Sequence, residues 1–252
     1  MSDGLDILKA ACVEMGILVM DLIVPTARWV DPDVVSVLPV WYPAFHRGME
    51  LFRADWRTPQ LHKRQKRSLE TNYRANWTIH AAVGGKGPNW TCCHIWGYSD
   101  PTFQDRGSLT YDPRYYTCVP NLVLLPTPVK ALTDSMPEVQ QALRVCSWHL
   151  YGWTPDPTDA SEAELIRSGW VPEHYPSAWP RCRGSGAPPG LVQATSAILA
   201  KARRRKAEIA DELRRVAAGE LPNYPADRVR GILRAWEPAA QARASQASRA
   251  AC

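Results

Sequence analysis

Proline limits the length of nearly every element this chain can form. There are 22 prolines in 252 residues, and each withholds a backbone donor and ends or kinks a helix that reaches it. Pro25, Pro32, Pro39 and Pro43 divide "VPTARWVDPDVVSVLPVWYP" into short extended pieces and turns. A second dense region, from about Thr154 to Pro189, carries "WTPDPTD" and "RGSGAPPG" and reads as irregular structure or a linker. Helices fit where the apolar spacing is three and four. Leu5, Leu8, Cys12, Met15 and Val19 keep that spacing across residues 5–24, as a core or partner-facing helix. A helix from about Ser68 to His80 follows, ended by "GGKGP" at 84–88. Met136, Val139, Leu143, Cys146 and Leu150 mark one apolar face of a third helix. Leu191, Ile198, Ala202, Ile209, Leu213 and Val216 mark a fourth, spanning Leu191 to Ala218.

With 45% hydrophobic and 22% charged residues the chain has the composition of a folded protein. Eleven tryptophans against three phenylalanines supply large apolar area with a polar N–H, suited to cores and to binding grooves. A net charge of +5 and a pI near 8.9 are compatible with a polyanionic partner. "MSDGLDILKAAC" starts acidic and lacks a basic n-region, and Asp6, Lys9, Glu14 and Asp21 interrupt the apolar run from Leu5 to Val24. The expectation is a cytoplasmic chain with no membrane span, whose seven cysteines are mostly free, buried thiols. "GGKGP" lacks the Ser or Thr and the spacing of a P-loop, and no Gly-x-Ser-x-Gly or His-Glu-x-x-His is present.

Two short strands, residues 90–98 and 121–125, are separated by a loop punctuated by Pro, Gly and Asp. "TCCHIWGYSDP" places His94 on the first strand and "CVPNLVLLPTPVK" places Asn121 at the start of the second, with a helix after them. Imidazole is the natural base for taking a proton from water near neutral pH. A cation beside the leaving oxygen of a phosphodiester offsets the charge that develops there. Taken singly, His94 reads as a core histidine bonded to backbone and Asn121 as a turn residue after Pro120. Their joint order and the helix that follows favour the functional reading.

Over residues 90–150 the chain resembles the HNH (ββα-metal) endonuclease family, through His94 in "CCHIWG" and Asn121 in "PNLVLLP". The resemblance implies His94 as general base, Asn121 as the residue that fixes local geometry, and Mg2+ or another divalent cation on the scissile phosphate of DNA. Where the family often has an acidic residue before the histidine, this chain has Cys93, and Lys130 falls near the third motif position. Asp134, one turn further on, becomes the candidate metal ligand, with Asp100 behind it.

Cys93, Cys118, Cys146 and His149 form the rival reading, a structural zinc site. It is disfavoured because there is no C-x-x-C pair, and adjacent Cys92 and Cys93 point to opposite faces of a strand. Lys63, Arg64, Lys66 and Arg67 form a basic cluster for gripping a nucleic-acid backbone, joined by Lys130. Trp56, Tyr73 and Trp77 are interleaved aromatics that stack on bases or fill the core. The basic residues of "KARRRK" at 201–206 are partly offset by Glu208, Asp211 and Glu212.

The expected fold is α+β, a central small ββα-metal-like unit flanked by helices at both ends. Its divisions are an N-terminal helical or irregular region (1–67), an HNH-like core (68–153), an irregular segment (154–190) and a C-terminal helical region with a frayed tail (191–252). The expected function is divalent-metal-dependent hydrolysis of DNA phosphodiester bonds, restriction-type or mobile-element associated by family analogy. The alternatives are a catalytically inactive nucleic-acid-binding module of the same fold and a helical interaction protein.

Overall fold

A strand reading Leu-Val-Leu-Leu is apolar on both faces and must be covered on both. That requirement organises the molecule. In the computed structural model, which describes residues 3–61, 68–85, 87–97, 109–156 and 160–236, the elements run α1 (Gly4–Glu14), α2 (Val19–Ile23), β1 (Trp29–Val30), α3 (Pro32–Val37), α4 (Tyr73–Ala82) and β2 (Trp90–His94). They continue with α5 (Pro113–Tyr116), β3 (Leu122–Pro126), α6 (Lys130–Ser135), α7 (Pro137–Tyr151), α8 (Ala160–Arg167), β4 (Leu191–Val192) and α9 (Ser196–Ala217). A further helical run covers residues 226–236. The fold is α+β, mostly helical with small sheets.

β2 and β3 pair antiparallel, with His94 opposite Leu122, Cys93 opposite Val123 and Cys92 opposite Leu124. The outer edge of β3 is closed by Arg28, whose N–H donates to the Leu124 carbonyl at 2.9 Å while the Leu124 N–H returns a bond at 3.1 Å. The outer edge of β2 meets side chains of α4. Asn76 Oδ1 accepts from the Cys92 N–H at 2.9 Å, and Asn72 Nδ2 donates to the Cys92 carbonyl at 3.4 Å. These asparagines satisfy backbone groups that an edge strand leaves open. α4 packs against both strands, and α6 packs against β2 and α7. Ser147 of α7 donates to the Pro120 carbonyl at 2.6 Å, and Tyr151 donates to the Val30 carbonyl at 2.7 Å. The helix thereby ties the start of β3 to β1.

Several elements differ from the sequence expectation. The single helix over 5–24 is two, broken where Gly16 adopts a φ of +68°. Its Cys12 is buried, whereas Ile7, Val13 and Met15 are exposed. The helix expected from Ser68 begins only at Tyr73, because Leu69 forms an isolated bridge with Glu50. Leu191 and Val192 begin no helix; they pair parallel with Trp29 and Val30. Residues 154–190 contain α8 and send Tyr175 and Trp179 into the main core, where Trp179 meets Trp29 edge-on at 5.6 Å. That core also takes in Cys12, Ile79, Leu122 and Val229, so it draws on all four expected divisions. Among the described cysteines, five are buried free thiols and Cys182 is exposed. No helix among the described residues is long and apolar enough to cross a membrane.

The β1–β4 pair depends on Gly190. A Cβ at that position would lie 1.7 Å from the Ala27 carbonyl oxygen, a backbone atom with no rotamer to yield. Gly190→Ala is expected to cost about 3 kcal/mol through forced separation of the two strands. Urea unfolding monitored by tryptophan fluorescence checks this, and an unchanged midpoint would contradict the close approach.

Candidate functional site

β2 ends at His94, and its imidazole is held from below. Nε2 lies 2.9 Å from the carbonyl of Tyr116, the last residue of α5. A carbonyl only accepts, so Nε2 carries the proton and Nδ1 keeps its lone pair. Nδ1 has no hydrogen-bond partner among the described residues. The ring also stacks on that of Tyr116, with centroids 5.6 Å apart and planes at 17°. His94 is crowded by protein atoms yet keeps a part-exposed surface.

Asn121 closes the turn opposite. It is fully buried, in a 3-10 turn (Val119–Asn121) that leads into β3. Its Oδ1 accepts from the Trp96 N–H at 2.8 Å, and its Nδ2 donates to the Tyr115 carbonyl at 3.1 Å. Its own carbonyl accepts from the Ile95 N–H at 2.9 Å. One side chain thus joins the exit of β2 to the end of α5. The adjacent carbonyls of Tyr115 and Tyr116 are taken by Asn121 and His94, which satisfies groups a helix C-terminus leaves without partners.

Lys130 and Asp134 sit one turn apart on α6 and form an ion pair at the surface. Burial pushes the His94 pKa down from 6.5 to about 4; the Tyr116 carbonyl and Asp134 oppose the shift, and the Arg47 and Lys130 cations reinforce it. His94 is therefore neutral at pH 7, the state able to accept a proton. The structure joins His94 and Asn121 through the consecutive carbonyls of Tyr116 and Tyr115, lets Lys130, Asp134 and Arg47 act on the His94 charge, and links Tyr116 to Glu70. Tyr116 and Glu70 carry no sequence signal of their own, since a buried tyrosine and a single glutamate recur in any chain of this composition.

Cys93, the residue in the acidic position of the family pattern, is buried against α6 near Thr133, and burial pushes its thiol up to about 12. It stays protonated and offers no thiolate. Cys146 lies against Tyr175, whereas Cys118 packs with Val40 and Ile232. No group of three His, Cys, Asp or Glu side chains suited to a metal occurs among the described residues. Lys63, Arg64, Lys66, Arg67 and Asp100 lie outside the described residues. Of the aromatic candidates, Trp56 is core, packed on Phe45, Phe52 and Tyr224. Tyr73 and Trp77 are 48% and 51% exposed on one face of α4. Arg205 of the 201–206 cluster is internal, donating to the Trp41 carbonyl at 2.9 Å and pairing with Glu212 at 3.0 Å.

Comparisons of the chain with protein families, with curated proteins and with solved structures gave no match.

Two outcomes follow from this geometry. Asn121→Ala leaves the Trp96 N–H and the Tyr115 carbonyl without their side-chain partner and is expected to cost about 3 kcal/mol in urea unfolding. The depressed His94 pKa means that the unfolded chain binds more protons than the folded one between about pH 4 and 6.5. Stability present above 6.5 is then lost as pH falls through that window. His149, also lowered by burial, adds a term of the same sign. The drop in urea midpoint from about pH 7 to about pH 4.5 should be smaller in His94→Gln than in the wild type; an equal drop would place the pH sensitivity elsewhere.

Proposed function

We propose that the protein is a divalent-metal-dependent, HNH-like endonuclease that hydrolyses DNA phosphodiester bonds at His94. The observation that carries this reading is the imidazole itself. One nitrogen is pinned to a helix-terminal carbonyl, and the other has no hydrogen-bond partner among the described residues, on a ring that burial keeps neutral and on whose charge Arg47, Lys130 and Asp134 act. A histidine bonded to backbone through both nitrogens has no lone pair to offer, whereas the Nδ1 lone pair of His94 is untaken among the described residues.

In the reaction, Nδ1 of His94 takes a proton from water as the water oxygen bonds to phosphorus. The bond from phosphorus to the leaving oxygen breaks, and that oxygen departs with the electron pair. Arg47 and Lys130 attract the phosphate and keep His94 deprotonated. Asn121 holds the turn, so that the base does not shift as the phosphate enters. Asp134 is the hard oxygen donor of the site, and the buried Cys93 thiol supplies none. A small divalent cation that retains waters and shares substrate phosphate oxygens needs only one or two carboxylates from the protein, and Asp134 meets that need. Such a cation would stabilise negative charge on the leaving oxygen. The exposed Tyr73 and Trp77 offer faces for bases, and the Lys63, Arg64, Lys66 and Arg67 cluster precedes them in the sequence.

A second reading, a nucleic-acid-binding module without catalysis, is favoured by one observation: Asp134 is already paired with Lys130. Plasmid DNA incubated with Mg2+ or Mn2+, with a chelator as control, separates the two. Wild-type protein is expected to nick or linearise the plasmid, and His94→Ala to lose at least about 100-fold in rate. Asp134→Asn should raise the Mg2+ concentration for half-maximal cleavage about tenfold. Retention of DNA without metal-dependent cleavage would establish the binding module instead.

A further inference from the structure

We propose that Glu70 and Tyr116 are positioning residues that hold the His94 imidazole in a single tautomer and orientation. The inference rests on His94 being the base of the reading above, and extends it to two residues that touch neither water nor phosphate.

Three contacts on Tyr116 carry it. Its carbonyl accepts from His94 Nε2 at 2.9 Å, its ring stacks on the imidazole at 5.6 Å, and its hydroxyl donates to Glu70 Oε1 at 2.7 Å. The first two fix where the proton sits and the plane in which the ring lies. The third fixes Tyr116. Glu70 is fully buried just ahead of α4, and the same Oε1 accepts the Arg74 N–H at 3.0 Å. The carboxylate is therefore locked to the first turn of a helix that also clamps the edge of β2 through Asn76. A closed path runs from β2 through His94, Tyr116, Glu70 and α4 back to β2. A ring moved by about 1 Å loses much of the benefit of an oriented base.

Burying a carboxylate is costly, and among the described residues this one finds no partner for its second oxygen, Oε2. An apolar pair would fill the space more cheaply, so the acceptor at Tyr116 stands at a cost to the fold. The tyrosine hydroxyl meets the same logic: packing alone is served as well by phenylalanine.

Tyr116→Phe is the informative variant, because it keeps the stacked ring and the backbone carbonyl and removes only the hydroxyl. Glu70→Gln is the conservative counterpart, since its amide oxygen still accepts from Tyr116 and from the Arg74 N–H. Two readouts are taken on the full chain near pH 7: cleavage kinetics on a DNA duplex with Mg2+, and long-range proton–nitrogen spectra of the six histidines, with the His94 signal assigned by its loss in His94→Gln. The wild type is expected to show His94 with the proton on Nε2. Tyr116→Phe should lower kcat about tenfold with KM within about twofold, and shift the His94 ring nitrogens toward a tautomer mixture. Glu70→Gln, which keeps the acceptor, should retain the wild-type pattern in both. A folded Tyr116→Phe protein with unchanged kcat and unchanged His94 nitrogens overturns the proposal. If the wild type cleaves no DNA, the nuclease reading fails by itself, and the nitrogen spectra still decide whether the hydroxyl orients the ring.

Discussion

The side chain of Asn121 is the constraint on which the central unit depends. It is placed where three chain segments meet, and it bonds the exit of β2 and the end of α5 at once. Without it, the buried Trp96 N–H would need a partner that no neighbouring apolar side chain supplies, and the Tyr115 carbonyl would be left to the Cys118 N–H at 3.3 Å. Because both bonds are short and sealed from water, the turn around residues 95–96 has little freedom. His94, one residue before that turn, inherits the rigidity. An asparagine suits the post better than any other residue, since it offers one acceptor and two donors on a short side chain.

Rigidity on that side is matched on the other. α4 completes the edge of β2 with Asn72 and Asn76, and Glu70, just ahead of the helix, reaches Tyr116 beneath the imidazole. Polar groups that a small sheet would otherwise expose are thus spent on fixing one histidine from several directions. The cost is visible as buried atoms that find no partner among the described residues: Glu70 Oε2, Asn72 Oδ1 and Arg74 Nε. Arg74 compensates in part by lying over the rings of Trp77 at 4.4 Å and Phe45 at 4.5 Å.

What could be read in the residues before the structure was the local part. The strands around His94 and after Asn121 were legible because a short apolar run bounded by Pro and Gly has few other uses, and the observed ranges shift by a few residues only. The helix bearing Cys146 was legible from its spacing. The β1–β4 pair was not, since two residues leave no periodic trace and their partner lies about 160 positions away in the sequence. Nor was the break at Gly16, or the burial of Tyr175 and Trp179 within a stretch whose prolines and glycines read as a linker. In the site, His94, Asn121, Lys130 and Asp134 stood out because their residue types carry chemistry. Glu70 and Tyr116 did not, because what sets them apart is a contact between residues 46 positions apart.

The charges around His94 also resolve an apparent conflict between its cations and its carboxylate. A lysine paired with the carboxylate that acts on His94 would block that carboxylate if the pair were strong. Both side chains are more than a third exposed, and exposed pairs of this kind contribute at most about 1 kcal/mol. Under the proposed function, an incoming phosphate would offer Lys130 a second partner that brings negative charge. On that reading, Lys130 would leave Asp134 at little cost, freeing a hard oxygen as the phosphate arrives. Until then Lys130 would offset the Asp134 charge, which favours protonation of the imidazole. A lysine in the third motif position is in this view a resting partner for Asp134, and its presence is compatible with a working site.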